Sequence, residues 1–323
     1  MEGYREDMTA AVGERILLEA IHARISPRDE VLRFLPHRDR RLVGAWCFVD
    51  VYGPDDVRER AGMTVAPHPH MGLQTVSWIV QGEVLHRDSL GTTALAAPGR
   101  AAIMTAGRGI SHSENSPEPH SPVLQGVQLW VALPEAVREI EPSFQLGEVA
   151  TPLVVGALRA GVFMGALGDV DSGTRVHSPL VGAELTRADV DGSAGDPDGW
   201  AGGTLPLDPA YEHLAVVLDG AATVDGEPVG EASAMFLPVG CADVEVRLAP
   251  AARVLLLGGE PLGEEIVMWW NFVGRSHEEI VRARTSWETR DGRFGEVSHY
   301  PTADRYEAPA LPNLRLRARG AVR

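Results

Sequence analysis

Apolar and polar residues alternate with a period of two through much of the first half of the chain. This is the spacing of strands that bury one face. In "TVSWIV" (75–80), Val76, Trp78 and Val80 fall on one side. "GVQLWVAL" (126–133) reads as a mostly buried strand, and "GAWCFVDVYGP" (44–54) as a strand closed by a Gly-Pro turn. "QGE" at 81–83 and "APGR" at 97–100 are turns between strands. Strands at this spacing without intervening helices predict a sandwich or barrel of the jelly-roll type.

The texture changes after Leu133. "PEAVREIEPSFQ" (134–145) reads as a short helical or irregular connector. A second strand-rich region follows from about Thr151 to Glu260, broken by a Gly- and Asp-rich loop at 188–203. "SHEEIVRARTSWE" (276–288) is the clearest helix, with Ser276 and Glu279 at capping-box spacing. The tail "APALPNLRLRARGAVR" is basic and reads either as a surface strap or as disordered chain. Residues 70–88 align weakly with 208–226, placing Val76, Trp78, Ile79 and Val80 opposite Leu214, Val216, Val217 and Leu218, and Gly82 opposite Gly220. Two copies of one β unit are expected. Pro206 and Asp208 stand opposite His68 and His70, and Asp243 opposite His112, so the second copy lacks the imidazoles of the first.

Length and composition narrow the classes. The 323 residues suggest two domains, and the net charge of −16 argues against nucleic acid or an anionic membrane as a partner. The start "MEGYREDMTA" lacks the basic and apolar regions of a signal peptide, and no apolar run is long enough to span a bilayer. A cytoplasmic protein is the expectation. Cys47 and Cys241 alone form neither a disulfide framework nor a zinc knuckle. No calcium loop, Walker loop, dinucleotide fingerprint or nucleophile elbow is present.

The chemistry concentrates in the histidines. In "APHPHMGL", His68 and His70 are two apart, so an extended strand points both to one face. Gly72 and Gln74 would continue that face if the strand ran on unbroken. In "TAGRGISHSENSP" (105–117), His112 and Glu114 repeat the spacing. Converging in one barrel, these pairs would give three imidazoles and a carboxylate around one point. That set suits Fe, Mn, Co, Ni, Cu or Zn, and leaves positions open on an octahedral ion.

These stretches resemble the pirin family of the cupin superfamily. The resemblance runs over "LVGAWCFVDVYGP", "HPHMGLQTVSWIVQGEVLHRDSLG", "MTAGRGISHSE", "VQLWVAL" and "GGEPLGEEIVMWWNFVGRSHEEI". It implies an all-β bicupin of two jelly-roll-type β-barrels with a few short helices. Residues 1–150 would form the metal-bearing barrel, 151–290 a barrel without metal ligands, and 291–323 a tail or strap. It also implies iron, Fe(II)/Fe(III), on His68, His70, His112 and Glu114. Gln74 stands where cupins usually carry Glu, which leaves it a supporting hydrogen bond, and Val51 replaces a His of many relatives at the barrel rim. Trp78, Met104 and Trp130 are further candidates to line the pocket. His86 (with Asp88) and Arg108 are candidates beside the metal or facing an anionic substrate. The activity implied is quercetin 2,3-dioxygenase-like, on a small aromatic substrate such as a flavonol, with Glu114 as the catalytic proton acceptor. The alternative is a metal- or redox-dependent regulator that binds a metabolic enzyme or a transcription-related protein partner without turnover. A purely structural metal is the third reading.

Overall fold

The computed structural model describes residues 13–24, 30–149, 151–188, 199–298 and 304–322. The opening decapeptide and most of the loop at 188–203 lie outside the described residues. The strands up to residue 148 are β1 (Ile16–Glu19), β2 (Ile21–Arg24), β3 (Glu30–Leu35), β4 (Trp46–Asp56), β5 (Thr64–His70), β6 (Leu73–Gln81), β7 (Val84–Asp88), β8 (Thr93–Ala96), β9 (Arg100–Thr105), β10 (Ile110–Asn115), β11 (Val123–Ala132) and β12 (Ser143–Glu148). They form a large sheet in the order β12-β9-β6-β11-β4-β3-β2 and a small one in the order β5-β10-β7-β8. Of the segment expected to be a connector after Leu133, residues 135–139 are turns, and Ser143 already begins β12.

The second half repeats the plan. Glu212–Asp219 lies between Ser233–Leu237 and Arg253–Gly259, as β6 lies between β9 and β11. Its small sheet runs Ala201–Pro206, Asp243–Leu248, Ala222–Val224, Glu227–Val229, the order of β5-β10-β7-β8. The weak repeat in the sequence is therefore a repeat of topology. It extends to register: Pro206 faces Asp243 across the ladder, as His68 faces His112. The expected barrels are jelly-roll-type pairs of sheets, since among the described residues no continuous ladder joins the large sheet to the small one in either half. The first two strands stitch the halves together. β1 adds to Ser233–Leu237 of the second half, and β2 to β3 of the first.

The largest hydrophobic cluster lies between the two large sheets. Trp46, Val49, Val51, Val76, Trp78, Val127 and Leu129 from the first half meet Phe163, Leu214, Val216, Phe236 and Leu257 from the second. Trp78 stacks on Phe163 with centroids 4.6 Å apart, and the Trp46 indole donates to the Gly258 carbonyl at 3.0 Å. Val51 belongs to this interface, not to a barrel rim, because the odd positions of β4 around it point away from the small sheet.

The α-helix His277–Thr289 starts where the capping pattern predicts, with Ser276 Oγ accepting from the Glu279 amide at 3.3 Å. Ile280, Ala283 and Trp287 recur at helical spacing and pack with Met71, Phe272 and Phe294. The tail is a strap. Leu311, Leu316 and Ala318 pack on that cluster, and Ile266 bridges to Arg319.

One buried imidazole in the second half carries a stability cost. His213 is fully buried, neither ring nitrogen has a hydrogen-bond partner, and burial pushes its pKa down to about 4. The unfolded chain takes up this proton near pH 6.5, while the folded chain resists until about pH 4. Stability is therefore whole above pH 6.5 and is lost as the pH falls, by about 3 kcal/mol at pH 4 from this group. Chemical denaturation of the His213→Leu variant is expected to show a flatter decline between pH 7 and pH 4 than the parent chain. Parallel pH profiles would show that His213 contributes nothing to it.

Candidate metal centre

The site lies on the inner face of the small sheet. β10 is flanked by β5 and β7, so His112 stands directly opposite His68 on one side and Asp88 on the other. The spacing of two in "HPH" turns His68 and His70 to the same face. The three rings gather closely: centroids are 4.4 Å apart for His68–His112 and 4.9 Å for His70 with each of the others. Their candidate ligand nitrogens all lie within 4.8 Å of one another.

Hydrogen bonds fix which nitrogens are free. The His68 Nδ1 donates to the Ala66 carbonyl at 2.9 Å, leaving Nε2 for the centre. The backbone of Asn271 bonds His70, whose Nδ1 has no partner. His112 Nε2 is likewise buried without a partner. Burial pushes His68 down to about 4 and holds His70 and His112 well below the usual imidazole range. Three neutral imidazoles with converging lone pairs and no donor between them leave buried polar atoms unsatisfied. A divalent metal answers that need, and the donor set fits one.

His86 joins this group. Its Nε2 lies 3.1 Å from an Asp88 carboxylate oxygen and its Nδ1 lies 3.3 Å from His112 Nδ1. With Asp88 accepting from Nε2–H, the other ring nitrogen of His86 is left to accept from His112. The relay thereby presents the bare Nε2 of His112 to the centre. The Leu90 and Thr92 amides hold the other Asp88 oxygen at 2.9 and 3.0 Å, and Phe144 stacks on the His86 ring at 4.5 Å.

Glu114 lies on the same face but outside the trio. A bulge interrupts the β5–β10 register between His112 and Glu114. The Ser77 hydroxyl donates to the Glu114 carboxylate at 2.7 Å and lies 3.0 Å from the Gln128 amide oxygen. Burial raises the carboxyl of Glu114, with Ser77 acting against the shift. Both burial and the nearby Glu114 charge raise the Tyr52 phenol, which therefore stays protonated.

Other expected residues sit elsewhere. Gln74 does not continue the face of His70. The chain leaves the small sheet at Met71-Gly72, and Gln74 starts anew on the large sheet, bonding Thr105 Oγ1 at 2.9 Å and the Arg175 carbonyl at 3.3 Å. Trp78 lies on the interface side of β6, so Ser77 takes the position facing the site. Met104 packs with Leu73, Ile110 and Trp130 in the core beside the site. Arg108 is exposed and paired with Glu141 at 2.8 Å, away from the cavity. Trp130 does line the cavity, edge-on to His70 at 5.3 Å and stacked on Phe48 at 4.2 Å.

The cavity over His68 and His70 measures about 430 Å³ and has walls that the sequence reading missed. Phe48, Asp50 and Tyr52 come from alternate positions of β4, a signal already present in "FVDVY". Arg33 makes a bidentate pair with Asp50, both bonds at 2.7 Å. Trp270, Asn271 and Tyr306 close it from the C-terminal part of the chain, which no local pattern announces.

The relay yields a direct expectation. His86→Phe keeps the stack on Phe144 and removes the acceptor for His112. Metal affinity, read by chelator competition, should fall about 10–100-fold. Unchanged affinity would mean that His112 needs no orienting partner.

Comparison with known proteins agrees with this architecture. The Pirin profile matches residues 27–131 and the profile of the Pirin C-terminal cupin domain matches 201–295. The chain is 40% identical to "Putative quercetin 2,3-dioxygenase PA1205" of Pseudomonas aeruginosa, over 92% of this chain and 91% of that one. It is 35% identical to a pirin-like protein of Caulobacter vibrioides, over 84% and 92% of the two chains. The crystal structure of a quercetin 2,3-dioxygenase from Acinetobacter baumannii superposes with a TM-score of 0.86 at 36% identity, covering 94% of this chain and 97% of that one. With its paired cupin halves and its histidine trio in the first of them, this chain belongs to the pirin family.

Proposed function

We propose that the chain is a metal-dependent dioxygenase with quercetin 2,3-dioxygenase-like activity on flavonol-type substrates. The observation that supports this most is the cavity itself. Its floor joins His68 and His70 to a buried carboxylate, Glu114, and its walls include the flat faces of Phe48, Trp130 and Trp270. Such a space suits a planar aromatic with an acidic hydroxyl.

Iron is the proposed metal; three imidazoles also accept Mn, Co, Ni, Cu or Zn, and elemental analysis of the isolated protein separates these. His68, His70 and His112 would hold the ion, which would supply a Lewis acid and a redox centre. The protein residues do the rest. Glu114 takes the proton of the bound hydroxyl, a role that its burial favours because the protonated acid is the form the cavity tolerates. Ser77 steers the carboxylate, and Gln128 lies within reach of the same hydroxyl. The aromatic walls orient the substrate plane and keep water from its reacting edge.

Oxygen uptake and loss of flavonol absorbance by metal-loaded protein test the reading. Turnover should exceed that of His112→Ala, and Glu114→Gln should lose about 100-fold or more while keeping its metal. Absence of uptake above the His112→Ala control removes the enzyme and favours a metal-dependent regulator.

A further inference from the structure

The strap delivers one aromatic side chain to the mouth of the metal cavity, and its backbone is held from several directions. The Tyr306 amide donates at 2.9 Å to the carbonyl of Pro67, the residue just before His68 on β5. The Tyr306 carbonyl accepts from the Trp287 indole at 2.8 Å. Arg305 donates to the Trp287 carbonyl at 2.7 Å and lies 4.3 Å over the Trp287 ring. Two residues further on, the Ala308 amide donates to Glu288 at 2.8 Å, and Arg284 donates to the Pro309 carbonyl at 2.7 Å. The helix therefore clamps the strap on both sides of position 306.

The side chain at that position does little for the fold. Tyr306 is 41% exposed, and its hydroxyl reaches the Thr64 carbonyl only at 3.4 Å. Its ring nevertheless lines the cavity, 6.1 Å from the His68 ring and inclined to it by 30°. Trp270 lines the same cavity at a left-handed φ of 51°, a conformation that costs a bulky residue energy. A rigid backbone, an exposed flat ring and a neighbouring aromatic in a strained turn together describe a wall made for a ligand.

We propose that Tyr306 is a substrate-positioning residue, whose ring, with Trp270, grips a planar polyphenol over the histidine trio. The proposal rests on the reading of the cavity as a flavonol site. The strap thus completes a site whose metal ligands lie in the first cupin half.

Quercetin titrated anaerobically into the full-length, metal-loaded chain, followed by tryptophan fluorescence, measures grip without turnover. Steady-state oxygen uptake then divides any loss between KM and kcat. Tyr306→Ala and Tyr306→Leu are both expected to raise Kd and KM about tenfold or more, with metal content and melting temperature held. Tyr306→Phe, which restores the flat ring, should return both to within about threefold of the parent. The proposal is overturned if Ala or Leu binds quercetin as tightly as the parent, or if Phe binds as poorly as Ala. Parent protein that binds quercetin without oxygen uptake defeats the dioxygenase reading alone, and the Kd series still decides the role of Tyr306. Parent protein that does not bind quercetin defeats both.

Discussion

The site depends on a close approach at Gly72. This residue has a φ of 73°, and a Cβ there would lie 2.0 Å from the Val273 carbonyl oxygen. Any side chain would push the hairpin Val267–Gly274 away from the strand that carries the histidines. Met71 bridges to Phe272, and the Val273 amide donates to the Met71 carbonyl at 3.0 Å. The contact brings Asn271 to His70 and Trp270 to the cavity. Gly72 also lets the chain pass from the small sheet to the large one within two residues. The imidazoles on β5 and the Ser77 hydroxyl on β6 consequently face each other across the jelly roll.

The large sheet of the first half serves two surfaces. Alternate residues of β4, β6 and β11 belong to the interface with the second half, and the intervening ones to the metal cavity. Val49, Val76 and Val127 represent the first set; Asp50, Ser77 and Gln128 represent the second. A change on one face leaves the other chemically untouched, although both share a backbone. This separation lets the site hold buried neutral imidazoles and a buried carboxylate at a cost in desolvation. The apolar packing between the halves offsets that cost at a distance.

The second half is a scaffold built on the same plan. Where the first half pairs His68 with His112, the second pairs Pro206 with Asp243, which offer no imidazole. Its contribution to the site is indirect. The large sheet supports the back of the first half, and the chain beyond it returns as a hairpin and a strap that close the cavity, with the helix packed behind them. A duplicated unit thus carries the histidine trio in one copy and apolar support in the other.

The sequence by itself determined the strands, the repeat, the helix cap and the shared face of His68 and His70. Each follows from periodicity or spacing within a few residues, where backbone geometry alone dictates direction. The repeated spacing of His112 and Glu114, and the resemblance its motifs carry, also joined His112 to that pair. The tertiary structure decided what local pattern cannot. Gly72 resets strand parity, so Gln74 and Trp78 turn to the interface and Ser77 to the site. A bulge and the Ser77 hydroxyl set where Glu114 stands beside the three imidazoles. The turn leading into β7 faces His86 inward, to His112. Trp270 and Tyr306 arrive from the far end of the chain because long-range packing, not adjacent residues, places them there. A side chain's face is local information while a strand runs unbroken; its partner across the cavity is a property of the whole fold.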